Sequence, residues 1–342
     1  MKRIWIPEAP FIHRRRLIEG ELRAPKARIQ GIMTAELVHA RTGLIARSLT
    51  FPNLITDAGL DGIGSSTIGA MTSYCGVGTG NSAPAVGQTA LDAQVIRTNS
   101  TGGFAEERGV DGGLAYTWWK RTRVFTTAQA NATLAEIGFF SASSGGTMFA
   151  RQLIKDELGD PTTITKTDEY ELRVTYEVRW YLPGDTEYSA LIDGVSQTIR
   201  TRPARVVNSG TGQGQIGWAP DQGGTFVGSG VTALVLYTGS LGAVTGAPSG
   251  GAGGGVNAQD TSGVEDAYVP GSLERTALFK IPAANGNGVT FKSMVAGYQG
   301  VSIFRVNPMP FQHEILTGPG ITKNNTQRFD IYAQISWARY VP

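Results

Sequence analysis

Three glycines at alternate positions, Gly76, Gly78 and Gly80 in YCGVGTGNSAPAVG (74–87), are the first residues that could do chemistry, because backbone amides beside glycines cradle phosphate groups. A P-loop would place a lysine directly after its last glycine, and here the next basic residue is Arg97. A dinucleotide-binding turn would open a helix, whereas Asn81, Ser82, Ala83 and Pro84 follow. The spacing therefore predicts tight turns with positive φ, and no nucleotide. Carboxylate groups come next. Glu106, Glu107 and Asp111 in FAEERGVDGG have the types needed for acid–base work or a cation, as do Asp185, Glu187 and Asp193 in DTEYSALIDG. Neighbours on a strand point to opposite faces, so Glu106 and Glu107 cannot flank one bond, and both clusters read as solvated loops.

His13, His39 and His313 stand far apart, and none has a second ligand at metal spacing. Cys75 is the single cysteine, which excludes an intrachain disulfide and a thiolate cage. No G-x-S-x-G elbow is present. No catalytic residue, metal or cofactor is expected, and the chain does not read as an enzyme. YTWWKRTR (116–123) places Trp118 and Trp119 on opposite strand faces beside Lys120, Arg121 and Arg123. An exposed tryptophan there could stack on a sugar, while its neighbour enters the core or an interface.

The elements that would position these residues are strands. Of 342 residues, 41% are hydrophobic and only 17% charged, with 46 glycines and 16 prolines. That is too apolar for disorder and too rich in turns for a helical bundle. An all-β fold with an antiparallel β-sandwich or jelly-roll-like body is expected. No apolar run approaches the roughly 18 residues of a membrane span, and prolines and arginines interrupt the N-terminus where a secretory signal would be apolar.

YELRVTYEVRW (170–180) alternates apolar and polar residues at every step, and so does FDIYAQISW (329–337). Ile-Thr-Lys precedes each, at 164–166 and 321–323, and each lysine is followed 14 positions later by a tryptophan. RTRVF (121–125) matches RTALF (275–279) further upstream. These matches predict a duplicated half-sandwich over roughly 115–183 and 270–342. IQGIMTAELVHARTGLIARSLTF (29–51) reads as a hairpin, and NLITDAGLDGIG (53–64) contains a short helix ended by Gly62 and Gly64. GAPSGGAGGGVNAQDTSG (246–263) is a Gly/Ser loop.

The net charge of +2 is uneven, since residues 1–28 carry eight cations against three carboxylates. With isolated Trp5, Ile6, Phe11 and Ile12 among prolines, this end reads as an extended docking arm. Trp5, Phe11, Arg14, Arg15 and Arg16 are its candidate interface residues, and its removal should leave the body folded. The expected organisation is the arm over 1–40, a first sandwich module over 41–185, and a second module, or the other half of one jelly roll, over 186–342.

Four stretches, in order, resemble a family. TGLIARSLTFPNLITDAGLDGIG (42–64) resembles the N-L-I-T-x-x-G-L segment of tailed-bacteriophage virion proteins. YCGVGTGNSAPAVGQTALDAQV (74–95) is similar to their G-V-G-T-G block, NATLAEIGFF (131–140) to the segment ending E-I-G-F, and MFARQLI (148–154) to the F-x-R strand that follows. The resemblance covers about 40–183. It implies a non-enzymatic structural protein of the tail, fibre attachment or collar, in the virion and assembled in the bacterial cytoplasm. Its implied partners are other virion proteins and further copies of itself, as a trimer or ring. Host-surface glycan is the partner on the alternative reading, a receptor- or carbohydrate-binding module with Trp118 or Trp119 as its platform, and neither membrane insertion nor a nucleic-acid ligand is expected.

Overall fold

A computed structural model describes residues 16–23, 26–111, 114–182, 184–203, 233–242, 249, 259–260, 264–298 and 309–341. The described residues are all-β apart from two short helices. In order, the first elements are β1 (Arg16–Arg23), β2 (Ala27–His39), β3 (Ile45–Ile55), α1 (Asp57–Ile63), α2 (Ile68–Met71), β4 (Tyr74–Gly78) and β5 (Gln94–Thr98). Then come β6 (Thr101–Asp111), β7 (Leu114–Phe125), β8 (Thr133–Leu134), β9 (Glu136–Phe140), β10 (Met148–Leu153), β11 (Ile164–Thr165) and β12 (Tyr170–Leu182). The later strands are β13 (Thr186–Ile192), β14 (Val195–Pro203), β15 (Ala233–Tyr237), β16 (Gln259–Asp260), β17 (Val264–Glu265) and β18 (Glu274–Ile281). They end with β19 (Thr290–Phe291), β20 (Ser293–Tyr298), β21 (Met309–Thr317), β22 (Ile321–Thr322) and β23 (Gln327–Arg339).

The strands hydrogen-bond in two runs. The first run is β6–β7–β12–β2–β3–β10–β9–β4–β5. The second is β17–β18–β23–β1–β13–β14–β21–β20–β15–β16. Matched position by position, the two runs have the same order, except that β1 is inserted between β23 and β13. All these pairings are antiparallel except those of β23 with β1 and with the start of β2, which are parallel.

The alternation in β12 fixes its two faces. Leu172, Val174, Tyr176, Val178 and Trp180 are buried, and the residues between them face outward. β23 does the same with Phe329, Ile331, Ala333, Ile335 and Trp337, except that Asp330 between them is also buried. Trp180 and Trp337 meet with ring centroids 6.2 Å apart, which joins the two runs through one continuous apolar core. The Trp337 indole donates to the Leu60 carbonyl (2.9 Å), and Arg339 donates to the Ile55 carbonyl (2.8 Å), so the last strand is tied to α1 and its approach.

The repeated Ile-Thr-Lys has a matching structural use in both places. β11 pairs with β8, and β22 pairs with β19. Lys166 is buried, and its ammonium donates to Asn131 Oδ1 (2.7 Å) and to the carbonyls of Thr167 (3.3 Å) and Thr127 (3.4 Å). Lys323 is buried likewise and donates to Asn287 Oδ1 (2.8 Å) and the carbonyls of Asn285 (2.6 Å), Ala283 (3.0 Å) and Asn324 (3.4 Å). Each asparagine in turn donates to a carbonyl four residues earlier. Burial holds both ammonium groups below the usual lysine pKa. Lys323→Met keeps the stem but leaves four inward acceptors without that donor. It should cost about 3 kcal/mol in urea denaturation, and Lys166→Met should cost a similar amount.

The extended arm expected over 1–40 needs correction where it is described. Arg16–Arg23 runs beside β23 over eight register pairs, and Ala27–His39 is a central strand between β12 and β3. Leu22, Ala27 and Ile29 are core residues. The arm reading missed this because β1 bonds in parallel to a strand some 310 positions away, a pairing that leaves no local trace. Trp5, Phe11, Arg14 and Arg15 lie outside the described residues, and Arg16 opens β1. The hairpin expected over 29–51 is β2–β3, with its turn at Ala40–Gly43. The short helix starts later than Leu54, because Leu54 and Ile55 finish β3.

Candidate functional site

The glycine segment (74–95) and the stretches 42–64, 131–140 and 148–154 converge on one place. β9 and β10 are buried along their whole length, and each carries one charged residue inward, Glu136 and Arg151. A buried charge is tolerated when it is paired and hydrogen-bonded. Arg151 Nε donates to Glu136 Oε2 at 2.8 Å, and its Nη2 reaches Asp92 Oδ2 at 2.9 Å and the Ser82 carbonyl at 3.1 Å. Its Nη1 donates to Gln88 Oε1 at 2.9 Å.

The Glu136 carboxylate also accepts backbone amides from Ala93 (2.8 Å), Gly80 (3.2 Å) and Asp92 (3.2 Å). Asp92 accepts from the Ser82 amide (3.0 Å) and from its hydroxyl. The Ser82 hydroxyl, ahead of the Arg151 charge, holds the Asp92 carboxyl below the usual aspartate range. Together these bonds clamp both limbs of the 79–93 loop to the sheet. The exposed residues of that loop, among them Ala83, Ala85 and Val86, are presented on a fixed backbone.

The glycines serve this clamp, and the expectation of positive φ is corrected. Gly76 and Gly78 are strand residues of β4, and neither they nor Gly80 has a positive φ. They are needed for close approach. A Cβ on Gly78 or on Gly80 would sit 2.5 Å from Glu136 Oε1, displacing the carboxylate that holds the loop. The N-L-I-T-x-x-G-L stretch supports the same sheet from below. Thr56 caps α1 by accepting from the Gly59 amide (2.9 Å), and its hydroxyl donates to the Met148 carbonyl (2.5 Å) at the start of β10. Gly59 lies against the Phe149 carbonyl, so any side chain there would push α1 off β10.

The second run of strands holds the matching loop, after β15, with a different set of residues. Glu314 accepts from the Leu241 amide (3.2 Å) and pairs with Arg200. Arg202 bridges Gln312 Oε1 and the Gly242 carbonyl, each at 2.8 Å. His313 lies between these residues on β21, fully buried, with its Nδ1 2.7 Å from the Thr201 hydroxyl. Burial pushes its pKa down to about 3. The unfolded chain takes up that proton near pH 6.5 and the folded chain does not. Stability is therefore retained above about pH 6.5 and lost as pH falls toward 3, at up to roughly 1.4 kcal/mol per pH unit. Denaturation at pH 7 and pH 4.5 should show this loss, and His313→Gln should reduce the difference between the two.

The other candidate residues stay apart. Glu106 and Glu107 fall on β6 opposite Trp119 and Trp118, in a strand and not in a loop. Asp111 ends β6. Asp185 and Glu187 are exposed, and Asp193 forms the β13–β14 turn with φ 52°, followed by Gly194 at 76°. His39 holds a turn through Thr42. Cys75 is fully buried, and burial raises its thiol pKa. Among the described residues, no three His, Cys, Asp or Glu come together as a metal site, and no helix is long and apolar enough to cross a membrane.

Trp119 is buried, with the Arg121 guanidinium 4.9 Å from its ring centroid. Trp118 lies on the opposite face, partly exposed, with Lys120 Nζ 4.9 Å from its ring centroid and bonded at 2.9 Å to Glu177.

The clamp and its fixed loop define a β-scaffold that presents a rigid surface segment. No protein-family model, curated protein or solved structure matches the chain.

Proposed function

We propose that the chain is a structural component of a tailed-phage virion, in the tail, baseplate or fibre attachment, packed against neighbouring virion proteins and other copies of itself. The observation that supports this reading is the convergence of the four phage-like stretches on the Glu136–Arg151 clamp. Their order along the chain then reflects one physical device, a buried charge pair that fixes a surface loop, and not four separate coincidences. A loop fixed in this way suits a protein whose task is permanent contact. The two matched runs of strands also suit descent from a duplicated module. An affinity tag added to the chain in its own genome tests the proposal: the tagged chain should co-sediment with purified particles. Its presence only in the soluble lysate, with tag-free chain equally missing from the particles, would reject it.

Trp118 favours a second reading, in which the outer face of β7 and β12 binds host-surface glycan. Its partly exposed ring lies among the polar groups of Lys120, Glu177 and Arg179, which suits sugar stacking. Loss of glycan-array signal on Trp118→Ala would support this reading, and absence of any signal from the intact protein would remove it.

A further inference from the structure

We propose that the outer face of β7, β12, β2 and β3 binds an uncharged, hydroxyl-rich glycan that reaches from Trp118 to a row of four threonines. This deepens the glycan reading given above and rests on it. Strand register places the outward residues in rows that cross the sheet. Trp118, Arg179 and Gln30 share one row, and Lys120, Glu177, Ile32 and Pro52 share the next. Thr122, Thr175, Thr34 and Thr50 form the row beyond. With strands about 4.8 Å apart and alternate residues about 6.8 Å apart, the three rows cover roughly 14 Å by 14 Å.

Two of these rows offer what a saccharide takes. Tyr116 and Trp118 are half-exposed rings on the wet side of the sheet, while Trp119 and Trp180 fill the core side. A flat ring in that position meets the C–H face of a sugar. The threonine hydroxyls are bonded in pairs, Thr122 to Thr175 at 2.8 Å and Thr34 to Thr50 at 2.9 Å. Each such bond uses one hydroxyl proton of the pair and leaves the second proton and further lone pairs for a ligand hydroxyl.

Charge decides the class of glycan. Glu177 is bonded to Lys120 (2.9 Å) and to Arg179 (2.6 Å), and Arg173 is bonded to Glu171 (3.1 Å). Arg28 and Glu36 on β2 add one charge of each sign, and β6 sets Glu107 at the Trp118 register. Four cations therefore stand against four carboxylates. A face with balanced, interspersed charge has no net field to hold a polyanion, which disfavours acidic polysaccharide and nucleic acid. No exposed leucine, isoleucine or valine stands in these rows, so the face also lacks the apolar centre of a protein interface. Neutral sugar hydroxyls donate and accept alike, and so match both signs of charge at once.

The full chain, applied to an array of neutral, sialylated and uronate-bearing glycans with oligo(dT) on the same surface, tests this. The strongest signals should fall on neutral glycans and hold from low to high salt. Trp118→Ala should weaken them about tenfold or more, and the double variant T34V/T175V severalfold. Valine keeps the branched shape that strands favour, and an unchanged melting temperature separates lost binding from lost folding. Signals confined to acidic glycans, or a preference for oligo(dT), would overturn the proposal. In the acidic case the wider glycan reading stands as long as Trp118→Ala removes the signal. Full binding by T34V/T175V would overturn the placement on the threonine row. A signal that Trp118→Ala leaves intact, or an array with no glycan signal, removes the proposal and the glycan reading together.

Discussion

Arg151→Met should lower the free energy of unfolding by about 3–5 kcal/mol, because it leaves the Glu136 carboxylate buried without its cation. The loss should be local as well as global. The 79–93 loop has Arg151 on Ser82, Gln88 and Asp92, and its release should appear as faster amide exchange and new protease cleavage between residues 79 and 93. Removing an exposed charge gives the contrast. Arg173 pairs with Glu171 on the outer face of β12, and Arg173→Ala should cost less than about 1 kcal/mol and leave the loop protected. Glu136→Gln should fall between the two, since the amide oxygen can still accept from a backbone N–H while the ion pair is lost. If Arg151→Met melts like the parent with an unchanged loop, the clamp is not what fixes this segment.

The second large effect separates two truncations. Removal of residues 1–15 spares every described strand, the first of which starts at Arg16. Removal of residues 1–26 takes away the eight-residue ladder on β23 and the buried Leu22, and it exposes the seam that β13 does not close. Lost apolar burial and unpaired backbone should together cost about 3 kcal/mol or more, with the larger change near β13 and β23 in hydrogen exchange. Equal stability of the two truncations would contradict the role given to β1.

These two predictions also mark what can be read from the sequence and what cannot. The strands β12 and β23 were legible residue by residue, because one face is buried and the other wet, and period two follows directly. The Ile-Thr-Lys repeat was legible as a pattern, but not its meaning. The Ile-Thr-Lys pattern gives no hint that an asparagine some 35 positions earlier will accept a hydrogen bond from the lysine. The glycines of 74–87 were visible, and their reason was misread. Tight turns are a local cause, whereas the actual cause is the Glu136 carboxylate, which arrives from another strand. A signal for that carboxylate did exist: EIGFF and MFARQL are apolar runs with a single charge each, and such charges are rarely buried unless paired. The arm was misread for the same reason of distance, since the basic composition of 1–28 is visible locally and its parallel partner is not.

The fold supports a view of the chain as a scaffold. α1 is fastened to the first run by Thr56 and to the second by Trp337 and by Arg339, which also pairs with Asp57 at 2.7 Å. Tyr268 donates to Asp61 at 2.7 Å from the same side. Both runs thus meet on one helix of seven residues, in addition to the shared core and the β2–β23 pairing. A body braced in this way suits the position in a particle proposed above.

The most direct test of that position is symmetry-resolved imaging of purified particles that carry the tagged chain. The proposal predicts density for this two-run β-body at a fixed place in the tail or its fibre attachment, in a copy number set by the local symmetry. Particles that are complete and infective, with no copy of the chain at any position, would contradict it.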